Sequence, residues 1–189
     1  MPPTYEVAVI VGSLRKDSYT RKAARALAML APPSLKSTFV EIGDLPLYNQ
    51  DMEEQPPAQW VAFRDAIRPV RAVLFATPEY NRSVPGCLKN ALDVGSRPYG
   101  KSVWAKKPAA IVSVSPGAIG GFGANHHLRQ SLVFLDMLPL QQPEAYVGNA
   151  TTLFTNEGEL ASEQTREFFQ SIMSAFAQLV TANCIIATP

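Results

Sequence analysis

Short apolar runs alternate with segments of helical periodicity along this chain, and that alternation restricts the fold more than any other feature. Residues 5–11, 72–76 and 109–114 are almost continuously apolar, which is typical of strands buried on both faces. Weaker strands are predicted at residues 37–41 and between residues 138 and 147. Strands that alternate in this way with helices predict an α/β fold, with a parallel sheet covered on both faces.

Helices are predicted between and after these strands. After the first strand, apolar residues recur every three or four positions until Pro32 and Pro33, through which a helix cannot continue. Pro85 suits the first turn of a helix that ends near Ser96, since a missing amide costs little there. The remaining helices carry the apolar faces of Trp60, Phe63 and Ile67, of Leu128, Leu132 and Leu135, and of Phe168, Phe169, Ile172, Met173, Phe176, Leu179 and Val180.

The composition is that of one globular domain, predicted over residues 1–189. Hydrophobic residues make up 47% of the chain and charged residues 17%, which excludes a largely disordered protein. The net charge of +1, without a basic stripe, predicts no nucleic-acid partner. The apolar runs are too short for a bilayer and the first residues lack a signal-peptide pattern, so we expect no membrane partner and a cytoplasmic location.

The cysteines and histidines do not predict a metal site or a disulfide. Cys87 and Cys184 lie far apart, with no further Cys or His at ligand spacing. Cys87 is interpreted as a small buried filler. His126 and His127 are adjacent on a predicted helix, where neighbours point about 100° apart, so we expect structural or surface roles for them.

Three polar segments follow predicted strands, at the edge where an open α/β sheet binds its ligands. Loop 1 comprises residues 12–18 after strand 1, loop 2 residues 78–85 after strand 3, and loop 3 residues 115–123 after strand 4. Two doubly wound strand orders are common, the dinucleotide-binding order and the flavodoxin-like order 2-1-3-4-5. The choice between them depends on what these loops contain.

Loop 1 and the start of the following helix carry groups that suit a phosphate. Ser13, Ser18 and Thr20 provide hydroxyls, Arg15 provides a guanidinium, and the helix provides free backbone amides. Ser18 has the alternative role of capping that helix. Because neither G-x-G-x-x-G after strand 1 nor G-x-x-x-x-G-K-[ST] occurs, a dinucleotide fold and a P-loop NTPase both lose support.

Loops 2 and 3 each allow two interpretations. Loop 2 holds Glu79, Tyr80, Asn81 and Ser83 between two prolines, so that its amides and carbonyls fit a planar heterocycle, but the same residue types suit an ordinary turn. The glycines of loop 3 either let the backbone approach a flat ring closely or form a flexible connection. The residue types alone leave both alternatives open.

Taken together, these segments closely resemble the NADPH-dependent FMN reductase family, in particular its bacterial chromate and quinone reductases. The resemblance covers most of the chain and depends on residues 12–16, Ser18, residues 78–81, Ser83, residues 85–86 and 88–91, Asp93, and residues 96–98, 120–121 and 127–130. It implies a flavodoxin-like, doubly wound, five-stranded parallel sheet of order 2-1-3-4-5, with helices on both faces and bound FMN.

The resemblance also implies a site and an activity. The FMN phosphate would bind at Ser13, Arg15, Ser18 and Thr20, and the ribityl and ring portions at Pro78, Glu79, Tyr80, Asn81 and Ser83 and near Ser115 and Gly117. The implied enzyme uses NADPH or NADH as reductant and passes electrons by a ping-pong scheme to quinones, chromate or similar small acceptors, as a homodimer or homotetramer. No side chain is predicted to act as an acid or base, because the flavin carries the chemistry.

The chain departs from the family pattern in loop 3 and the following helix. The family often has Arg where Gly123 stands and Gln where Asn125 stands. The alternative function is a flavodoxin-type electron carrier, or a flavin-binding protein without turnover of its own. Carriers dock by charge and are typically acidic, so the near-neutral charge of this chain favours the enzyme.

Overall fold

The computed structural model describes residues 3–155 and 157–186, and side chains only as far as residue 183. Its strands are β1 (Tyr5–Val11), β2 (Leu35–Phe39), β3 (Ala72–Thr77), β4 (Pro108–Val114), β5 (Leu138–Pro139) and β6 (Ala145–Val147). Its α-helices are α1 (Tyr19–Met29), α2 (Ala58–Ile67), α3 (Gly86–Gly95), α4 (Phe122–Phe134) and α5 (Glu163–Ile186). The ends of the predicted domain 1–189 and the side chain of Cys184 lie outside the described residues.

The strands form one parallel sheet of order β2-β1-β3-β4-β5, in which β6 also pairs with β4. This order confirms the flavodoxin-like prediction. Successive residues of β1 point to opposite faces, so Val7 and Val9 join a core with α1 and α5, whereas Ala8 and Ile10 join a core with α2, α3 and α4. Helices therefore cover both faces, and each fully buried Val, Leu or Ile contributes roughly 1.5–3 kcal/mol to folding.

Strand β2 begins and ends two residues earlier than the predicted range 37–41. Leu35 is buried and pairs with Tyr5, which places the start of the strand before Ser37. Glu41 has left the sheet, and its carboxylate binds Arg21 on α1. The prediction was wrong here because β2 is an edge strand with only partial burial, so the apolar pattern does not mark its ends.

The single fifth strand predicted between residues 138 and 147 is two short strands, so the prediction of five strands was wrong by one. On β4, Ala109 pairs with Pro139 of β5 and Val112 pairs with Ala145 of β6. Three steps along β4 therefore correspond to six steps along the neighbouring segment. The extra residues leave the sheet, and Pro143 among them has no amide to donate.

The segment between β5 and β6 is bound to helix α4, since the Arg129 guanidinium donates a hydrogen bond to the Leu140 carbonyl at 2.9 Å. In the part of the chain that the structure describes, no helix is long and apolar enough to cross a membrane.

Candidate flavin site

Loops 1, 2 and 3 meet at one edge of the sheet because β1, β3 and β4 are neighbours and run in the same direction. Between the loops lies a cavity of about 90 Å³. The residues that line it are Ser13, Arg15, Ser18, Tyr19, Thr20, Pro78, Glu79, Tyr80, Val114, Ser115 and Pro116. Most of the predicted site residues are thus brought together, whereas Asn81, Ser83 and Gly117 lie outside the cavity lining.

Loop 1 presents unengaged polar groups to this cavity. Ser18 caps α1, because its hydroxyl oxygen accepts a hydrogen bond from the Arg21 amide at 3.1 Å. Ser13 and Thr20 are only 4% and 3% exposed as residues, and the hydroxyl of neither makes a hydrogen bond within residues 3–155 and 157–186. Two free hydroxyls that line a cavity at the positive end of α1 suit a polar ligand.

Arg15 lines this cavity, and Arg21 lies in the first turn of α1, but only Arg15 has a free guanidinium. The Arg21 guanidinium binds both carboxylate oxygens of Glu41, at 2.7 and 2.6 Å. That hydrogen bonding raises the pKa of Arg21 and lowers the pKa of Glu41. Arg15 is exposed and forms no ion pair with any residue that the structure describes. An unpaired guanidinium, two free hydroxyls and a helix N-terminus together fit a phosphate group such as that of FMN.

Loop 2 ends in a tight turn that exposes its tip. Tyr80 and Ser83 exchange two backbone hydrogen bonds of 3.0 Å, and the two residues between them have positive φ, 51° at Asn81 and 63° at Arg82. This geometry is that of a type I′ turn, in which Asn is favoured and Arg is not. The Tyr80 side chain lines the cavity, and Asn81 lies exposed at the tip.

Two of the predicted site residues in loop 2 use their side chains inside the protein. The Glu79 carboxylate accepts a hydrogen bond from the Ala124 amide at 3.0 Å and binds Arg82 at 2.9 Å. The Ser83 hydroxyl lies 2.9 Å from Nδ1 of His127. Ser83 therefore fits the interpretation of loop 2 as an ordinary turn. The parts of loop 2 that remain available to a flavin are the backbone of residues 78–81 and the Tyr80 ring.

The glycines of loop 3 allow a close backbone contact within the protein. Gly120 has φ +66°, and a Cβ there would lie 2.6 Å from the carbonyl carbon of Tyr146. The Ser115 hydroxyl accepts a hydrogen bond from the Gly117 amide at 3.2 Å, and the Gly117 carbonyl accepts from Gly120 and Asn149. Gly120 thus permits tight packing on β6, and loop 3 is a constrained segment instead of a flexible connection.

Some residues around the site were missed by the sequence analysis. Tyr19 lines the cavity beside the cap of α1, and an aromatic residue next to a predicted cap was the available signal. Asn125 is fully buried, and its amide nitrogen lies 3.3 Å from both the Ser113 hydroxyl and the Ala145 carbonyl. A polar residue inside the apolar pattern of α4 was the signal for this bridge between β4, β6 and the helix.

His126 and Cys87, for which the sequence predicted no catalytic or metal-binding role, have the following surroundings. His126 Nε2 lies 2.9 Å from the Tyr146 hydroxyl, and burial, with the nearby Glu144, raises the pKa of Tyr146 to about 12. Burial also raises the pKa of the Cys87 thiol, which keeps it protonated. Among the described residues, no cluster of His, Cys, Asp and Glu could hold a metal ion.

An open parallel sheet of this strand order, with a cavity lined by free polar groups beside β1 and β3, is typical of flavodoxin-like proteins that bind a nucleotide or a flavin. The family model for NADPH-dependent FMN reductase matches residues 5–152. A quinone reductase from Pseudomonas putida is 65% identical over 184 residues, which cover 97% of this chain and 98% of the relative. A 2-hydroxy-1,4-benzoquinone reductase from Burkholderia sp. is 46% identical over 175 residues, which cover 93% and 96%.

A solved structure agrees with these relatives. FerB, a flavoenzyme NAD(P)H:(acceptor) oxidoreductase from Paracoccus denitrificans, matches with a TM-score of 0.90 and 39% identity, over 95% of this chain and 99% of FerB. The chain therefore belongs to the NADPH-dependent FMN reductase family. It is an FMN-dependent oxidoreductase with NAD(P)H as reductant, as the resemblance implied.

Proposed function

We propose that this FMN reductase passes electrons from NADH or NADPH to quinones, so that NAD(P)H, a proton and a quinone give NAD(P)⁺ and a hydroquinone. The observation that carries the proposal is the sheet-edge cavity, in which the free groups of loop 1 face the Tyr80 side of loop 2. The 65% identity to a quinone reductase over nearly the whole chain supports the choice of acceptor. Chromate stays a prediction.

The site residues would divide the binding of FMN between them. Ser13, Arg15, Ser18 and Thr20 would hold the phosphate, with Ser18 acting mainly through the amides of the helix that it caps. Pro78, Tyr80 and Asn81 would adjoin the ring, and Ser115 and Gly117 would border it from loop 3. Bound FMN supplies hydride acceptance and two-electron donation, and the chain's own task is to bind and orient it.

The proposal is tested by steady-state kinetics with a soluble quinone and with NADH or NADPH as the varied reductant. If nicotinamide and quinone use one ring face in turn, double-reciprocal plots should be parallel. Intersecting lines would contradict the alternating scheme and require a site that holds both substrates together. If the protein reduces the quinone no faster than free FMN does, enzymatic quinone reduction is contradicted and the role of an electron carrier is supported.

A remote variant and a site variant make this test specific. Lys106→Ala removes an exposed cation that pairs with Asp136, and it should leave turnover at the level of the parent. Arg15→Ala should lower turnover at limiting FMN and recover it when FMN is in excess. Loss of turnover in Arg15→Ala that excess FMN does not restore would contradict a phosphate role for Arg15.

We also propose that the protein forms a homodimer or homotetramer. Helix α4 exposes large apolar side chains, with Phe134 at 90% and Val133 at 66% exposure. Sedimentation equilibrium of the parent and of Phe134→Ser tests this. If Phe134 packs against a second copy of the chain, the polar replacement should weaken association. A monomeric parent would contradict the proposal. The cytoplasmic location stays a prediction, and cell fractionation tests it.

A further inference from the structure

Loop 2 rests on the first two turns of α4 through three contacts, which we call the loop 2–α4 interface. The Ala124 amide donates to Oε2 of Glu79 at 3.0 Å, and His127 Nδ1 lies 2.9 Å from the Ser83 hydroxyl. At Gly123 the helix approaches so closely that a Cβ would lie 2.9 Å from the Arg82 carbonyl oxygen and 2.9 Å from Oε2 of Glu79. His127 lies four residues after Gly123 and three after Ala124, so it lies on the same side of the helix as both.

Glu79 supplies the cap that α4 lacks. The N-cap residue of α4 is Gly121, which has no side chain to accept a hydrogen bond from the first turn. The Glu79 side chain, only 10% exposed, accepts that bond from a distant loop and places a negative charge at the positive end of the helix. Its other oxygen, Oε1, accepts from Arg82 at 2.9 Å, so both oxygens are engaged within the protein.

The same interface holds the turn of loop 2 in its unusual conformation. Arg82 has φ 63°, a conformation that side chains with a Cβ rarely adopt. Such a residue keeps this conformation only where its surroundings hold it. The ion pair to Glu79 and the close approach of Gly123 restrain Arg82 from two sides, and the backbone pairing of Tyr80 with Ser83 closes the turn.

We infer that Glu79 and Gly123 are positioning residues for the flavin: they fix the Tyr80 ring and the backbone of residues 78–81 against α4 without binding FMN through their side chains. The inference rests on the proposed placement of FMN beside loop 2. It gives Glu79 a different role from the direct cofactor contact that the sequence predicts. It also gives a reason for the glycine at position 123 of this chain, because a Cβ there would lie only 2.9 Å from the Arg82 carbonyl oxygen with loop 2 in its present place.

A matched pair of glycine variants tests the inference without removing any polar group. Gly123→Ala introduces a methyl group into the interface, whereas Gly86→Ala introduces one in the first turn of α3, where no atom lies within 4 Å. We expect Gly123→Ala to weaken FMN binding to the apoprotein by about five- to tenfold, the equivalent of roughly one lost hydrogen bond, and to shift the midpoint potential of the bound flavin. Gly86→Ala should match the parent in both measurements.

Variants of Glu79 approach the interface from the other side. Glu79→Ala should reproduce the weaker FMN binding and the shifted potential of Gly123→Ala. Glu79→Gln keeps an oxygen for the Ala124 amide and should recover most of the parental affinity. Because both residues act through one interface, Glu79→Ala combined with Gly123→Ala should have less than the summed effect of the two.

The outcomes separate this inference from the placement of FMN. Tyr80→Ala removes a side chain that lines the cavity, so it should weaken FMN binding and change the visible spectrum of the bound flavin if the ring lies there. If Tyr80→Ala has these effects but Gly123→Ala and Glu79→Ala match the parent in affinity and potential, the positioning role is wrong. A fall in apoprotein melting temperature alone would also overturn it. If Tyr80→Ala binds FMN with the affinity of the parent, the proposed placement of FMN beside loop 2 is wrong.

Discussion

Loops 1 and 2 face the same cavity but are built in opposite ways. Loop 1 leaves the hydroxyls of Ser13 and Thr20 and the guanidinium of Arg15 without partners among the described residues. Loop 2 engages the side chains of Glu79 and Ser83 with α4 and exposes mainly its backbone and the Tyr80 ring. If FMN binds as proposed, loop 1 recognises its phosphate through free polar side chains, and loop 2 recognises its flat ring through a restrained backbone.

The largest effect is expected at the charged end. Arg15→Ala should weaken FMN binding by about 1.5–3 kcal/mol, the range for a hydrogen bond to a charged group. Riboflavin lacks the phosphate, so it should bind the parent and the variant equally. Titration of the apoproteins by flavin fluorescence measures both affinities. Lys16→Ala, which removes the neighbouring cation of the same loop, is the control, and equal FMN affinity in Arg15→Ala and the parent would contradict the assignment.

The shape of loop 2 is tested by two replacements of Asn81. Because Asn81 has φ 51°, Asn81→Ala should be about 1–2 kcal/mol less stable than Asn81→Gly, which tolerates this backbone conformation. If the Asn81 side chain also binds the flavin, both variants should slow flavin reduction to a similar extent. Urea unfolding and stopped-flow reduction separate the two effects. If the flavin of Asn81→Gly is reduced at the rate of the parent, the Asn81 side chain does not bind the flavin and its role is confined to the turn.

Thr20 sharpens the contrast, since its hydroxyl is predicted to serve the ligand and not the fold. Thr20→Val replaces a hydroxyl that has no partner among the described residues, in a residue that is only 3% exposed, so the apoprotein should be at least as stable as the parent. FMN binding should weaken by about 0.5–1.5 kcal/mol. Calorimetric melting and FMN titration test both points, with Thr38→Val on the exposed surface of β2 as control. A clear loss of apoprotein stability would show that the hydroxyl has a structural role.

The smallest effect is expected at the ion pair beside loop 1. Arg21 lowers the pKa of Glu41 through its hydrogen bonds, so the folded carboxyl releases its proton at lower pH than the unfolded one. Its contribution to stability is present above the unfolded pKa and is lost as the pH falls through the folded pKa. Glu41→Gln should therefore cost less than about 1 kcal/mol at neutral pH, because the Glu41 side chain is 62% exposed, and nothing in strong acid. A pH-independent difference in urea unfolding would contradict this account.

Local patterns in the sequence were sufficient for the main elements. Strands β1, β3 and β4 are buried on both faces, so their apolar runs marked them closely. Periodicity likewise indicated α1 and the central part of α5, whose predicted stripe covers residues 168–180 of Glu163–Ile186. Loop 1 was predictable for a similar reason, since its hydroxyls, its guanidinium and the following helix lie within a few residues of one another. Burial and local spacing are properties that a sequence displays directly.

Contacts between distant segments were not predictable in this way. The bond from Ala124 to Glu79 joins residues 45 positions apart, and the bond from His127 to Ser83 joins residues 44 apart. The same holds for Gly120, whose missing side chain makes room for the backbone of β6, and for the split of the fifth strand into β5 and β6. The sequence by itself determined the α/β order of elements and the cluster of polar residue types in loop 1, because both depend on neighbouring residues. Only the tertiary structure decided which polar groups of loops 2 and 3 remain free, because a hydrogen bond between distant segments exists only after the chain has brought them together.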